Sequence, residues 1–466
     1  MSRANLPPGP QYSLLDPRQI PFAVRWLRDP YAALLDVAAR YGDVAFVRMG
    51  PVRLCVLNHP RYVRDVLVTH SRRFCKGGAF HLARSILGRG LLTSDGEFHL
   101  RQRRLAQPAF HPARIARYAE VMVSAAEGVG QSWRPGQTID VFREMSHLTL
   151  TIAAQALFGT RIGGQTDEVR LALTEVLKHW THVLLPVANA CQRLGLPVPA
   201  GPRLRRARAR LDAILYRVIA ERRAQPGDDL LSILAHAADD EGRMTDEQLR
   251  DEAMTFMLAG HETMATSLTW MWHLVSQHAD VRSRWEAEIA RELGDRLPSY
   301  DDLPRLTYTR QIFAETLRLY PALWGFTRLA LDDVPLGPYV IPRGSQVLAS
   351  PFVVHRNPEV FSDPLRFHPD RWQDAEADAS HDLSYFPFGG GVRRCIGEPF
   401  AWAEGPLVAA TLLQRWRMEP VADERPVRPA PAFICRPQRP LLMTVQPRQA
   451  AAAPPPVRAE VVVSTS

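Results

Sequence analysis

Residues 386–400 read Phe386-Pro-Phe-Gly-Gly-Gly-Val-Arg-Arg-Cys395-Ile-Gly-Glu-Pro-Phe400. The consecutive glycines let the backbone come close to a flat ligand, because no Cβ stands in the way. Cys395 falls just before a helix whose dipole and unpaired N–H groups favour a thiolate. The stretch therefore offers a soft, anionic metal ligand. The phrase F-x-x-G-x-R-x-C-x-G, carried by Phe388, Gly391, Arg393, Cys395 and Gly397, should arise by accident in a chain of this length with a probability on the order of 10⁻⁴. The other cysteines, at 55, 75, 191 and 435, bring the count to an odd five without C-x-x-C spacing. Neither a disulfide framework nor a structural zinc site is indicated, and these four are expected to be buried thiols.

The 466 residues are 46% hydrophobic and 23% charged. These values exclude a wholly disordered, collagen-like or membrane-embedded chain. No apolar run reaches the roughly 18 residues a spanning helix needs. Met1 to Pro10 is polar and proline-rich without a hydrophobic signal core, so no membrane anchor and a cytoplasmic location are expected. The net charge of +8 rests on 55 arginines against two lysines, Lys76 and Lys178. Such a bias reflects a GC-rich genome more than a nucleic-acid surface, which should show as a clustered patch. The densest cluster, Arg203, Arg205, Arg206, Arg208 and Arg210, follows Pro202 and reads as a solvated helix face.

The patterning gives a mainly α-helical chain with small β-sheets. Pro30 to Arg40 is amphipathic, and Val44 to Arg48 and Val52 to Leu57 flank Gly50-Pro51 as a hairpin. Thr245, with Gln248 three residues on, predicts a capping-box start for a helix running to about His278. A further helix precedes Pro321, and Tyr339 to Ile341 and Gln346 to Ala349 flank Pro342-Arg343-Gly344 as a second hairpin. Residues 449–466, with their Ala and Pro runs, read as a disordered tail behind a single domain of residues 1–448.

At Phe388, Gly391, Arg393, Cys395 and Gly397 the sequence resembles the cytochrome P450 family, whose haem-binding loop carries this signature and whose cysteine is the axial ligand of the haem iron. Three further segments share the resemblance. Ala259-Gly260-His261-Glu262-Thr263 is similar to the oxygen-activation segment, in which a small residue and a glycine open the helix beside the iron and the acid-alcohol pair delivers protons. Glu315 and Arg318 match the E-x-x-R pair. Glu247 with Arg250 and Glu288 with Arg291 have the same spacing and read as surface pairs. Arg371, in Phe367-His-Pro-Asp-Arg371-Trp372, matches the arginine that completes the family's structural ion network. The resemblance covers residues 10–445 in the expected order and implies the P450 fold with haem b (iron protoporphyrin IX) as cofactor.

The resemblance implies that the haem propionates meet His99, Arg103, Arg328, His355 and Arg393, with Phe388, Ala259 and Gly260 also against the cofactor. Glu262 and Thr263 would relay protons, and thiolate ligation by Cys395 would favour O–O cleavage. The outcome would be insertion of one atom of O2 into a hydrophobic small molecule such as a terpenoid, a fatty acid or a steroid-like compound. The pocket would draw on the 74–92 loop, the 184–202 region, Phe256, Ala259, Trp324, Phe326 and residues near Phe433. Only 71 residues follow Cys395. The electrons are therefore expected from a separate ferredoxin or flavodoxin with its NAD(P)H-dependent reductase. That partner would dock on an arginine-rich proximal face carrying Arg101, Arg104 and Arg394. Glu262-Thr263 argues against a peroxide-driven peroxygenase. A haem-binding sensor would give no NAD(P)H-dependent product, and a purely structural helical protein would bind no haem.

Overall fold

Thr245 starts the longest helix among the described residues as its spacing predicts. Its hydroxyl accepts from the Gln248 N–H (3.2 Å), and Gln248 Oε1 accepts from the Thr245 N–H (2.9 Å). The structure, a computed structural model, describes residues 5–448 apart from 14, 78, 79, 81, 82, 85, 86, 160–168, 170, 174, 177–200, 374–381, 423, 424, 431 and 433. The expected tail at 449–466, Cys191, Phe433 and nearly all of the 184–202 region lie outside the described residues. Among those described, the principal helices are α1 (Gln19–Arg28), α2 (Pro30–Tyr41), α3 (Gly96–Ala106), α4 (Pro112–Ser132), α5 (Val141–Phe158), α6 (Pro202–Ala224), α7 (Leu230–His236), α8 (Asp246–Ser276), α9 (Ala279–Leu293), α10 (Thr307–Leu319) and α11 (Glu398–Arg415). The 31 residues of α8 extend about 46 Å at 1.5 Å per residue. It packs along α5 and meets α6, α10 and α11. No described helix is long and apolar enough to cross a membrane.

The larger sheet runs in the order β1 (Gln11–Tyr12), β2 (Val44–Met49), β3 (Val52–Leu57), β8 (Gln346–Ala349), β5 (Phe326–Ala330) and β4 (Phe74–Cys75). The expected first hairpin forms, with Val44 opposite Leu57 and Met49 opposite Val52. Alternation along these strands divides their side chains between two cores. Ala45, Val47, Leu54 and Val56 pack with Leu34 and Val37 of α2, whereas Val44, Phe46, Cys55 and Leu57 join a cluster containing Leu383 and Phe386. The second cluster seats the entrance to the cysteine loop on the sheet.

The second expected hairpin is corrected. β7 (Tyr339–Ile341) turns back on β6 (Val334–Leu336) with Tyr339 opposite Leu336, across a turn in which Gly337 takes φ +56°. This two-residue turn closes a nearer hairpin than Pro342-Arg343-Gly344 could. β8 instead sits between β3, to which it is parallel, and β5, to which it is antiparallel, so both of its backbone edges are paired.

The look-alike pairs are also corrected. Buried Glu288 accepts from the Tyr308 and Thr309 N–H groups (2.6 and 2.8 Å), capping α10, while Arg291 pairs with Glu292. Buried Arg250 pairs with Asp212 and Asp251 rather than Glu247. Of the four cysteines expected to be buried thiols, Cys55 and Cys435 are buried and Cys75 is half-buried.

Candidate active site

From Leu249 to Trp272 every residue of α8 is buried except three: Ala259 is exposed, and Gly260 and Thr263 are half-buried. At 3.6 residues per turn these three share one face. The middle of a core helix thus opens at the residues singled out by sequence. Thr263 donates its hydroxyl to the Ala259 carbonyl (2.6 Å). Glu262 beside it is buried, with Oε1 3.7 Å from Arg436 Nη1, and burial raises its carboxyl to about 7 against the pull of Arg436. Phe256 lies one turn upstream, its ring against Phe110 at 5.7 Å.

Cys395 is exposed and precedes α11, and its N–H donates to the Phe388 carbonyl (2.9 Å). The surrounding protein pushes its thiol up to about 11, while the Gly397 N–H, Arg103 and Arg394 favour the thiolate. A metal cation at the sulfur would deprotonate it outright. The loop is tightly docked. A Cβ on Gly391, which takes φ +65°, would fall 2.0 Å from the Leu67 carbonyl oxygen, and one on Gly389 would lie 3.3 Å from the Phe326 ring.

Beside the loop, positive charge collects in a buried setting. Arg393 donates to the Ser94 carbonyl (3.1 Å) and pairs with Asp95, while buried Arg328 and Lys76 stand in the same field. Burial, then Arg393, lowers Arg328 to about 10, and burial lowers Lys76 well below its ordinary value. His99 is held neutral, lowered to about 3 chiefly by burial and then by Lys76 and Arg393. Its Nδ1 meets Ser94 Oγ at 3.4 Å, and its buried Nε2 has no partner among the described residues. Buried Arg328 and half-buried Arg393 against Asp95, with an orphaned imidazole nitrogen and with Lys76 shared between Asp95 and Glu252, leave a positive setting that suits anionic groups. The two propionates of a haem would fit that setting, and Cys395 would offer its sulfur to the iron.

The expected ion network forms and is tighter than sequence alone implies. Arg318 and Glu315, both fully buried, pair at 2.8 and 2.9 Å. Arg371 Nε (3.1 Å), the His368 N–H (3.0 Å) and the Trp372 indole N–H (2.9 Å) also donate to Glu315. Arg318 further donates to the carbonyls of His355, Pro364 and Arg366.

Two expected placements, those of His355 and Arg101, change, and the expected pocket residues Trp324 and Phe326 have partners in the protein. His355 is no propionate partner. It is fully buried, its Nε2 accepts from the Phe386 N–H (3.0 Å), and its Nδ1 lies 3.2 Å from the Arg318 carbonyl, so both ring nitrogens are taken. It ties the ion network to the cysteine loop. Trp324, expected in the substrate pocket, donates its indole N–H to the Ala432 carbonyl (2.7 Å) and packs edge-on to Tyr31. A half-buried indole needs such a partner. Phe326 packs with Phe386 and the glycine loop. Arg101, expected on the donor-docking face, is buried in an ion pair with Asp239 (2.8 Å). Arg103 donates to the Arg394 carbonyl (2.7 Å), which places it beside the cysteine loop. Sequence reasoning missed Lys76 and Asp95 at the cationic cluster. The rarity of lysine in this chain was the available signal.

The family model for cytochrome P450 matches residues 17–445. The chain belongs to the cytochrome P450 family. It is 40% identical over 433 residues to cyclooctatin synthase of Streptomyces melanosporofaciens, covering 91% of this chain and 93% of that one. Cyclooctat-9-en-7-ol 5-monooxygenase of the same organism is 39% identical over 399 residues, covering 84% and 86%. Pentalenene oxygenase of Streptomyces avermitilis is 38% identical over 425 residues, covering 90% and 93%. Among solved structures, the haem domain of cytochrome P450DA superposes with a TM-score of 0.82 at 26% identity, covering 96% of this chain and 98% of that one. The fold is the P450 fold, mainly helical with small sheets, and the cofactor is haem. The protein is a haem-thiolate monooxygenase that acts on a hydrophobic small molecule.

Proposed function

We propose that this P450 hydroxylates a cyclic terpenoid, with electrons from a separate ferredoxin or flavodoxin and its NAD(P)H-dependent reductase. One observation carries the reading. The part of α8 that opens is a small apolar surface, Ala259 and Gly260, followed one turn on by Thr263. A hydrocarbon skeleton can lie there without a charged anchor. The names of the relatives, which concern cyclooctatin, cyclooctat-9-en-7-ol and pentalenene, favour a terpenoid over a fatty acid or steroid. We also propose that residues 1–448 act as one domain, in the cytoplasm.

When bound, haem with a thiolate ligand activates O2 by pushing electron density that favours O–O cleavage. The protein's own residues then divide the work. Cys395 Sγ would hold the iron, and the Gly397 N–H and the nearby Arg103 and Arg394 would temper its charge. Arg328, Arg393 and His99 would hold the propionates, with Asp95 orienting Arg393 and the Lys76 amine tied to the Leu91 and Leu92 carbonyls. Glu262, buried and raised to about 7, carries a proton near neutrality, and Thr263 passes it on from Oγ1. On the outer side of the loop, a groove of about 340 Å³ is lined by Arg310, Phe388, Arg394, Glu398 and Trp402. This groove is the surface on which an acidic electron donor would dock, with exposed Arg104 of α3 adding to the positive charge that steers it.

The test is a ligand titration of the haem protein that follows the substrate-induced spin shift. Cyclic terpene hydrocarbons and their alcohols are expected to give the shift, and reconstitution with a ferredoxin system to give a singly oxygenated product. Saturable shifts with fatty acids or steroids and none with terpenoids would overturn the substrate assignment.

A further inference from the structure

Arg436 lies outside every motif discussed so far, yet its guanidinium reaches Glu262. Nη1 and Oε1 are 3.7 Å apart, with Arg436 one-third exposed and Glu262 buried. The second carboxylate oxygen, Oε2, is buried and has no partner among the described residues. Among those residues Arg436 is the charged group that acts on Glu262. α5, packed along α8, spends Ser146 on the His261 ring and Thr149 on the His261 carbonyl. On α8 itself the neutral Thr266 hydroxyl lies buried one turn on from Glu262.

The backbone that presents Arg436 is fixed from several directions. The Cys435 N–H donates to the Ala322 carbonyl (2.9 Å), the Trp270 indole to the Cys435 carbonyl (2.5 Å), and the Ala430 N–H to the Arg436 carbonyl (2.7 Å). An arginine one-third exposed and 3.7 Å from a buried acid borders both solvent and the oxygen-activation segment. We propose that Arg436 is a positioning residue for Glu262: it holds the carboxyl in place by one oxygen, leaves the other free, and sets when its proton is available to Thr263. The inference rests on the reading of Glu262 as the proton carrier.

Electrostatics gives the sign. Burial alone raises the carboxyl, and the cation opposes it, so removing Arg436 should raise Glu262 further. An opposite charge at this range typically lowers a carboxyl by about one unit or more. The Glu262 titration can be read as the carbonyl stretch in infrared difference spectra, with Glu262→Gln identifying the band. This readout needs neither turnover nor a known substrate, so its failure is distinct from failure of the substrate assignment. In Arg436→Gln the midpoint is expected to move up by about one pH unit. The share of electrons reaching product is expected to fall, with haem content and spin shift retained. Arg436→Lys should restore both, which a merely structural arginine would not require. Should Arg436→Gln fold poorly, the Lys variant and its infrared midpoint still report. A Glu262 midpoint that stays put when the charge is removed would overturn the proposal, as would a shifted midpoint with unchanged coupling.

Discussion

Glu262 and Thr263 occupy adjacent positions but different settings, and their variants should separate accordingly. Thr263→Ala is expected to keep haem and substrate binding while diverting electrons to hydrogen peroxide. Assaying peroxide against product checks this, and unchanged coupling would count against the role. Glu262 titrates at about 7 in the fold against an ordinary 4.5. Between these values the native state binds the proton and the unfolded chain does not, so stability is fully present below about 4.5 and falls as pH rises towards 7. The loss amounts to about 3 kcal/mol, at 1.36 kcal/mol per unit. Glu262→Gln should therefore raise the denaturation midpoint at pH 8 and leave it near wild type at pH 4.5. Cys395, Glu262 and Arg318 were legible in the sequence because each belongs to a motif. Lys76, Asp95 and Arg436 were not, because their roles come from neighbours distant in the chain.

The elements were legible wherever a local signal sufficed. The capping box at Thr245 and Gln248 fixes the start of α8, and Gly50-Pro51 fixes the first hairpin. The partner of β8 was not legible, since a strand paired on both edges is chosen by the sheet and not by its own turn. His355 was misread because the resemblance put it on a propionate, whereas its burial against Phe386 and Arg318 makes it a brace. Glu315 on α10 anchors that brace. Glu315→Ala would leave Arg318 buried without its counter-charge, at a cost of about 3–5 kcal/mol. Lost haem retention and a lowered thermal midpoint should follow. Gly88 gives a second element-scale test. With φ +73° it lies against α8, and a Cβ there would fall 1.9 Å from Asp251. Gly88→Ala should loosen the 88–92 loop, seen as faster hydrogen exchange there, while α11 stays protected.

Across the molecule, the sheet seats the cysteine loop, α8 presents the open stripe, and buried cations stand beside the loop. The outer face keeps Arg104 exposed, while Arg394 is paired to Glu398 (2.5 Å). Charge reversal by Arg104→Glu should slow bimolecular reduction by an acidic ferredoxin at low salt. The difference should shrink as ionic strength rises, because screening removes steering. Ligation of the haem iron by Cys395 Sγ would set the colour of the loaded protein. Its most direct test is the absorption spectrum of the reduced, carbon monoxide-bound form. The wild type should show the red-shifted band of a thiolate-ligated haem and Cys395→His should lack it; the same band persisting in that variant would contradict the account.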